Sequence, residues 1–217
     1  MANVGDYIKF GNYSQTANGD IQPIEWQVLA KEENKMLLIS KYGLEARRFD
    51  GSSNDWINSE IRRWANNIFY NKAFNKNEKK YIRNSTISMN EKIDIYDFDE
   101  NEKKIIRVST IYRYEEVGFL ENLFGKQKCN DKVFLLNNEE IEKYFPNYDE
   151  RKCKATEYAK ANGAYVDDDN SYSWWWLRSP QLDYNFNVYN ISSYGCWDYN
   201  CIYFNSLLFR PALWINI

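Results

Sequence analysis

Two cysteines, Cys196 and Cys201, stand five residues apart inside a segment crowded with Tyr, Asn, Ser and Asp. That separation is compatible with a shared site. A nucleophilic thiolate needs an electropositive setting, however, and the neighbouring charges are Asp167, Asp168, Asp169, Asp183 and Asp198. Thiols on a recognition surface are therefore preferred to a reactive pair. The other two cysteines, Cys129 and Cys153, complete a set with no CxxC spacing, so neither a zinc site nor a thioredoxin-type motif is indicated. The sequence contains no histidine, which removes the commonest general base near neutral pH and the commonest transition-metal ligand. It also lacks the GxSxG, P-loop and GxGxxG patterns, and no carboxylate pair is singled out for glycoside hydrolysis. No residue is assigned a catalytic role. Asp167, Asp168, Asp169 and Asn170 offer hard oxygen donors, but the EF-hand spacing is missing, and a solvated loop is preferred to a calcium site. No metal and no cofactor is expected.

Charge and composition point instead to binding. The last lysine is Lys160, after which Arg178 and Arg210 are the only basic residues. The final quarter is rich in Tyr, Trp, Asn and Ser, the palette of adaptable recognition surfaces, where rings supply contact area and amides supply flexible hydrogen bonds. A net charge of −3 without a Lys/Arg cluster argues against a nucleic-acid partner. No window approaches the roughly 18 apolar residues of a membrane span, and the opening MANVGDYIKFGNY has neither the basic nor the apolar region of a signal peptide. The expectation is a soluble protein, cytoplasmic or phage-associated, without membrane insertion.

The elements that would carry such a surface can be read from periodicity. The first 49 residues read as an antiparallel meander, with Ile24, Trp26 and Val28 on one face and Met36 to Ile39 as a buried run. Ile61, Trp64, Ala65, Ile68 and Phe69 fall at helical spacing, with Asn58 or Ser59 as N-cap and Glu60 in the first turn. NKNEKKYI suggests a short helix and NEKIDIYDFDENEKK an exposed excursion. DKVFLL then reads as a buried strand, NNEEIEKYF as a helix stopped before Pro146, and ATEYAKANG as a helix whose Gly163 suits a left-handed cap. In WWWLRSP a strand cannot turn Trp174, Trp175 and Trp176 all inward, so either Trp175 or the pair flanking it is core. With no repeat or linker, one α+β domain spans residues 1–217, its N- and C-terminal strands sharing a sheet.

The stretches GDYIKFGNYSQT, IEWQVLAKEENKMLLISKYGL, IRRWANNIFYNKAF, DKVFLLNNEEIEKYF, ATEYAKANGAYV, YSWWWLRSP and FRPALWINI, in this order, resemble the bacterial DUF6273 family over most of the chain. The WWLRS…RPA frame is also similar to the end of the C-type-lectin-like fold in its formylglycine-generating-enzyme branch. That resemblance implies mixed and antiparallel sheets with a few helices. It implies a fixed scaffold around a C-terminal segment of the kind rewritten at adenine codons in diversity-generating retroelement variable proteins. Residues 181–208 fit that segment.

The chain is accordingly expected to be a binding protein and not an enzyme, meeting an unidentified macromolecular ligand, a protein or cell-surface molecule. The ligand face is drawn from Asp183, Tyr184, Phe186, Tyr189, Tyr194, Trp197, Asp198, Tyr199, Tyr203, Phe204 and Leu207. The structural frame is Trp175, Arg178, Arg210 and Trp214, with the two arginines acting as ion pairs or backbone braces. Two alternatives stand: a cysteine oxidase of formylglycine-generating type using Cys196 and Cys201, and a structural module of a phage or cell-surface assembly.

Overall fold

The computed structural model describes residues 2–88, 128–181 and 184–217. Its architecture is mixed α+β, with mostly antiparallel sheets and a few short helices. Strands β1 (Tyr7–Ser14), β2 (Ile21–Glu32) and β3 (Lys35–Ser40) form the expected meander. A strand from the other end of the described chain, β11 (Ala212–Asn216), pairs antiparallel with β3 and completes the sheet order β1-β2-β3-β11. Ile24, Trp26 and Val28 alternate inward and are fully or nearly fully buried, as a half-buried strand requires.

The second sheet contains β4 (Glu45–Ala46), β7 (Trp175–Pro180), β8 (Asn187–Ile191), β9 (Trp197–Cys201) and β10 (Leu208–Phe209) in the order β4-β10-β7-β8-β9. Only the β10/β7 pairing is parallel. A two-stranded ribbon, β5 (Ser85–Ser88) with β6 (Lys128–Asp131), stands apart from both.

Ser59 caps the helix that opens with α1 (Glu60–Trp64), its side chain accepting the Arg62 N–H. The helix then widens into a π-turn over Ala65–Phe69 before closing as α2 (Tyr70–Ala73). This corrects the helical-spacing reading at one position: Ile68 is 52% exposed. A π-turn inserts an extra residue per hydrogen-bonded ring and rotates the residues beyond it. The buried stripe therefore continues through Phe69, Tyr70, Ala73 and Phe74, while Ile68 turns to solvent.

Helix α3 (Asn138–Tyr144) carries a full capping box between Asn137 and Glu140. After α4 (Tyr148–Arg151), α5 (Glu157–Ala161) is capped by Thr156 and followed by Gly163 at φ +90°. NKNEKKYI yields only a three-residue 3₁₀ turn, Glu78–Lys80. DKVFLL is mostly buried as expected, but beyond Asp131, the last residue of β6, it forms no ladder. Phe134 exchanges backbone hydrogen bonds with Ala212, and the Leu136 carbonyl accepts the Arg178 N–H, so the segment touches β11 and β7 at one point each. The excursion read from NEKIDIYDFDENEKK lies outside the described residues.

Trp175 and Trp176 are both fully buried, which corrects the expectation of one inward face. Strand β7 is the middle of its sheet and is covered on both sides. The Trp175 indole donates to the Arg151 carbonyl (3.0 Å) and the Trp176 indole to the Arg47 carbonyl (2.9 Å). Trp174 is half-buried against Tyr165. Among the described residues no helix is long and apolar enough to cross a membrane.

Candidate functional site

The β8–β9 hairpin is built so that neighbouring residues meet opposite fates. Strand β8 lies between β7 and β9, whereas β9 ends the sheet. Register pairs Asn187 with Cys201, Tyr189 with Tyr199 and Ile191 with Trp197, which puts these six on one face by the two-residue period. Ile191 is buried, Tyr189 and Trp197 are half-buried, and Tyr199 is exposed. Val188 and Asn190 occupy the opposite face and are fully buried.

The large rings that reach solvent are Tyr184, Phe186, Tyr194, Tyr199, Tyr203 and Phe204, each 49–61% exposed. Phe186 and Tyr203 stack at the base of the hairpin, with centroids 5.9 Å apart and planes 27° apart. Tyr194 crowns the turn at the far end, where its hydroxyl lies 3.5 Å from Asp169. Trp197 is held more firmly than these rings, with the Arg151 guanidinium 5.1 Å from its centroid. Asp198 is half-buried and accepts the N–H of Tyr199 at 2.7 Å. Asp183 lies outside the described residues.

Leu207 does not belong to this face. It is 1% exposed, its carbonyl accepts the Arg47 N–H, and it starts the buried run Leu207 to Phe209. An all-carbon side chain beside two core residues gains most by staying dry, at about 25 cal/mol per Å² removed from water.

The frame residues hold the segment's ends. Arg178 makes a two-point ion pair with Glu140, at 2.6 and 3.1 Å, and donates to the Leu135 carbonyl. Arg210 donates to the carbonyls of Ser40 (3.0 Å) and Arg151 (3.3 Å) and lies 4.6 Å over the Trp175 ring. Trp214 lies on β11, half-buried, with the Lys35 ammonium 4.2 Å from its ring.

Three supports have no local signal in the sequence. The Asn54 amide nitrogen lies within 3.1 Å of the carbonyls of Gln181, Tyr184 and Asn187, tying down the approach to β8. Asp167, read from sequence as a solvated loop acid, is 8% exposed; it accepts from Asp169 N–H, Asn170 N–H and the Ser193 hydroxyl. It thereby fastens the hairpin turn to the 167–172 loop. Gly195, at φ +81°, has its Cα against the Tyr148 backbone, where a Cβ would fall 1.9 Å from the carbonyl oxygen. Each support reaches a partner distant in sequence, and the types involved are ordinary turn residues.

The electrostatics of this end are acidic. The Tyr194 phenol is pushed above its ordinary value first by the charge of Asp167, then by desolvation and the charge of Asp169. The Tyr165 phenol is raised by desolvation and then by Asp167. Among the described residues, no three His, Cys, Asp or Glu side chains gather as a donor set for a metal. Cys201 ends β9 and Cys196 immediately precedes it, so at about 3.3 Å per residue their Cα atoms are roughly 16 Å apart, beyond the ~7 Å limit for a disulfide. The described thiols are free, and Cys129 and Cys153 are buried.

The model of the family described as "Domain of unknown function (DUF6273)" matches residues 33–94 and 89–217. The chain belongs to the DUF6273 family. The match takes in the whole hairpin together with both framing motifs. No curated protein and no solved structure matches the chain.

Proposed function

We propose that this DUF6273 chain is a recognition protein whose β8–β9 hairpin and flanking turns present an aromatic face to a macromolecular ligand. The observation that carries the reading is the contrast along one short segment. Six large rings stand about half-exposed or more, while the residues framing them, Trp175, Trp176, Arg178, Leu207 to Phe209 and Arg210, are all at most 3% exposed. A core that had run out of room would leave scattered rings; here they are concentrated on a segment anchored by Asn54, Asp167 and the two arginines. Rigid aromatic rings on a well-held support are what binding centres use, because they bury large area at little cost in rotamer entropy.

The finer reading is a C-type-lectin-like scaffold carrying a variable segment of the retroelement-diversified kind, now bounded at Ser206 because Leu207 belongs to the core. Supporting it are the sequence frame WWLRS…RPA and the shared sheet of terminal strands. The cysteine-oxidase alternative is disfavoured by the separation of Cys196 and Cys201, and the assembly-module alternative has no observation in its favour.

The test is selection of random dodecapeptides on the immobilised protein, repeated on a Tyr199→Ala/Tyr203→Ala variant. Both rings are about half exposed, so the variant should melt near the wild type. Peptides that bind the wild type and lose at least tenfold in affinity on the variant support the reading; peptides indifferent to it, or none at all, refute it.

A further inference from the structure

Resting on the aromatic face proposed above, we infer that its partner is basic, and that an arginine or lysine side chain of that partner seats over the rings of Tyr165, Trp174 and Tyr194 beside Asp168 and Asp169.

Charge is the first observation. Beyond Lys160 the chain's only cations are Arg178 and Arg210, both 3% exposed and engaged by Glu140 and backbone carbonyls. The last 57 residues, from Ala161 to Ile217, therefore offer no exposed positive side chain, while Asp168 and Asp169 are exposed and Asp198 partly so. None of these three carboxylates has a basic side chain within ion-pair distance among the described residues.

Ring occupancy is the second, independent observation. Elsewhere the chain's own cations lie over several of its exposed or half-buried rings: Lys35 over Trp214, Lys41 over Tyr7, Arg151 over Tyr148 and Trp197. Even Tyr172, in the loop next to this cluster, has Lys152 and Lys154 within 5.7 Å. Among the described residues, none of these cations lies over Tyr165, Trp174 or Tyr194. Their geometry suits one. Tyr165 and Trp174 meet at 5.1 Å with planes inclined by 48°, and the hydroxyls of Tyr165 and Tyr194 approach Asp167 and Asp169 of the same turn, each at 3.5 Å. Ring faces attract a cation through their quadrupole, more strongly as it is desolvated, and adjacent carboxylates add a charge term that salt screens.

The probe is an acetylated, amidated peptide of alternating glycine and arginine, monitored through the chemical shifts of the tyrosine rings, with a glycine–glutamate peptide as control. The expected result is movement of the Tyr165 and Tyr194 resonances by the arginine peptide alone. Its affinity should fall at least tenfold in an Asp168→Asn/Asp169→Asn variant and should weaken between low and physiological salt. Both aspartates are exposed, so the variant should keep the wild-type melting temperature. Equal response to the two peptides, no response to the arginine peptide, or arginine binding untouched by the double substitution would overturn the inference. The broader reading fails separately: dodecapeptides selected on the wild type that need Tyr199 and Tyr203 but carry no Arg or Lys would leave the aromatic face standing and the basic partner refuted.

Discussion

Arg178 and Glu140 clasp one another through two hydrogen-bonded contacts, and the Glu140 oxygen closer to the guanidinium also accepts the Asn137 N–H at 2.9 Å. One carboxylate thus closes the capping box of α3 and fixes the strand that leads into the aromatic hairpin. Arg178 is 3% exposed, so removing Glu140 takes the paired carboxylate away from a buried charge. Glu140→Ala should cost on the order of 3 kcal/mol in urea unfolding. Glu140→Gln keeps the cap acceptor and should cost less; equal losses would mean the ion pair, not the cap, carries the energy.

Gly195→Ala tests how tightly the hairpin turn is seated. The residue sits at φ +81°, where a side chain is strained, and its Cβ would overlap the Tyr148 carbonyl oxygen. A loss of at least about 2 kcal/mol is expected, which for a chain of this size lowers Tm by roughly 4–8 °C. A smaller loss would show that the turn can lift away from α4.

Asn190 presents the opposite case. It is fully buried, yet neither its amide nitrogen nor its side-chain oxygen has a partner among the described residues. An unsatisfied buried polar group costs about 1–3 kcal/mol. Replacing it by the similarly sized Asn190→Leu should therefore raise stability by a comparable amount in thermal unfolding. A fall in Tm would show that something outside the described residues satisfies the amide.

The contrast between Ser59 and Asn190 marks where the sequence is legible. Ser59 and Glu60 announce a helix start through local spacing, and alternation announces Ile24, Trp26 and Val28, because the causes of both patterns lie within a few residues. Ile68 departs from its expected place because a π-turn leaves the sequence pattern looking helical while shifting the phase. Trp175 and Trp176 depart from theirs because burial on both faces depends on which strands flank β7, a matter of topology. On the candidate face, ring exposure at Tyr184, Phe186, Tyr199, Tyr203 and Phe204 accords with composition. The burial of Leu207 and the anchoring roles of Asn54 and Asp167 rest on partners tens of residues distant or more, which no local pattern encodes.

Asp50 supplies a pH-dependent prediction. It is 4% exposed and accepts from the backbones of Ser52, Ser53 and Glu60 and from the Ser52 hydroxyl. Burial alone would push its carboxyl up, but these donors together hold it below the ordinary carboxylate value. The native state therefore favours the ionised form more than the unfolded chain does. That stabilisation is complete above the unfolded value of about 4 and is lost as pH falls through the lower native one. Asp50→Asn should cost about 2 kcal/mol at neutral pH and flatten the decline below pH 4. An unchanged acid limb would place the transition on other carboxylates.

Thiol reactivity separates the surface from the interior in one measurement. Burial, with the Asp131 carboxylate beside it, pushes the Cys129 thiol up to about 11, and burial raises Cys153 against the opposing charge of Arg210. Both are closed to reagent and mostly protonated at pH 8. Cys196 is exposed and Cys201 half-buried at the other end of β9. An aromatic disulfide reagent at that pH should label Cys196 first and Cys201 more slowly, leaving Cys129 and Cys153 to react only in denaturant. Because the β9 thiols lie a strand length apart, labelling one should leave the rate at the other unchanged and should yield no intramolecular disulfide. Coupled loss of both thiols would require β9 to fold back on itself, and with it would go the rigid support on which the exposed rings of the hairpin depend.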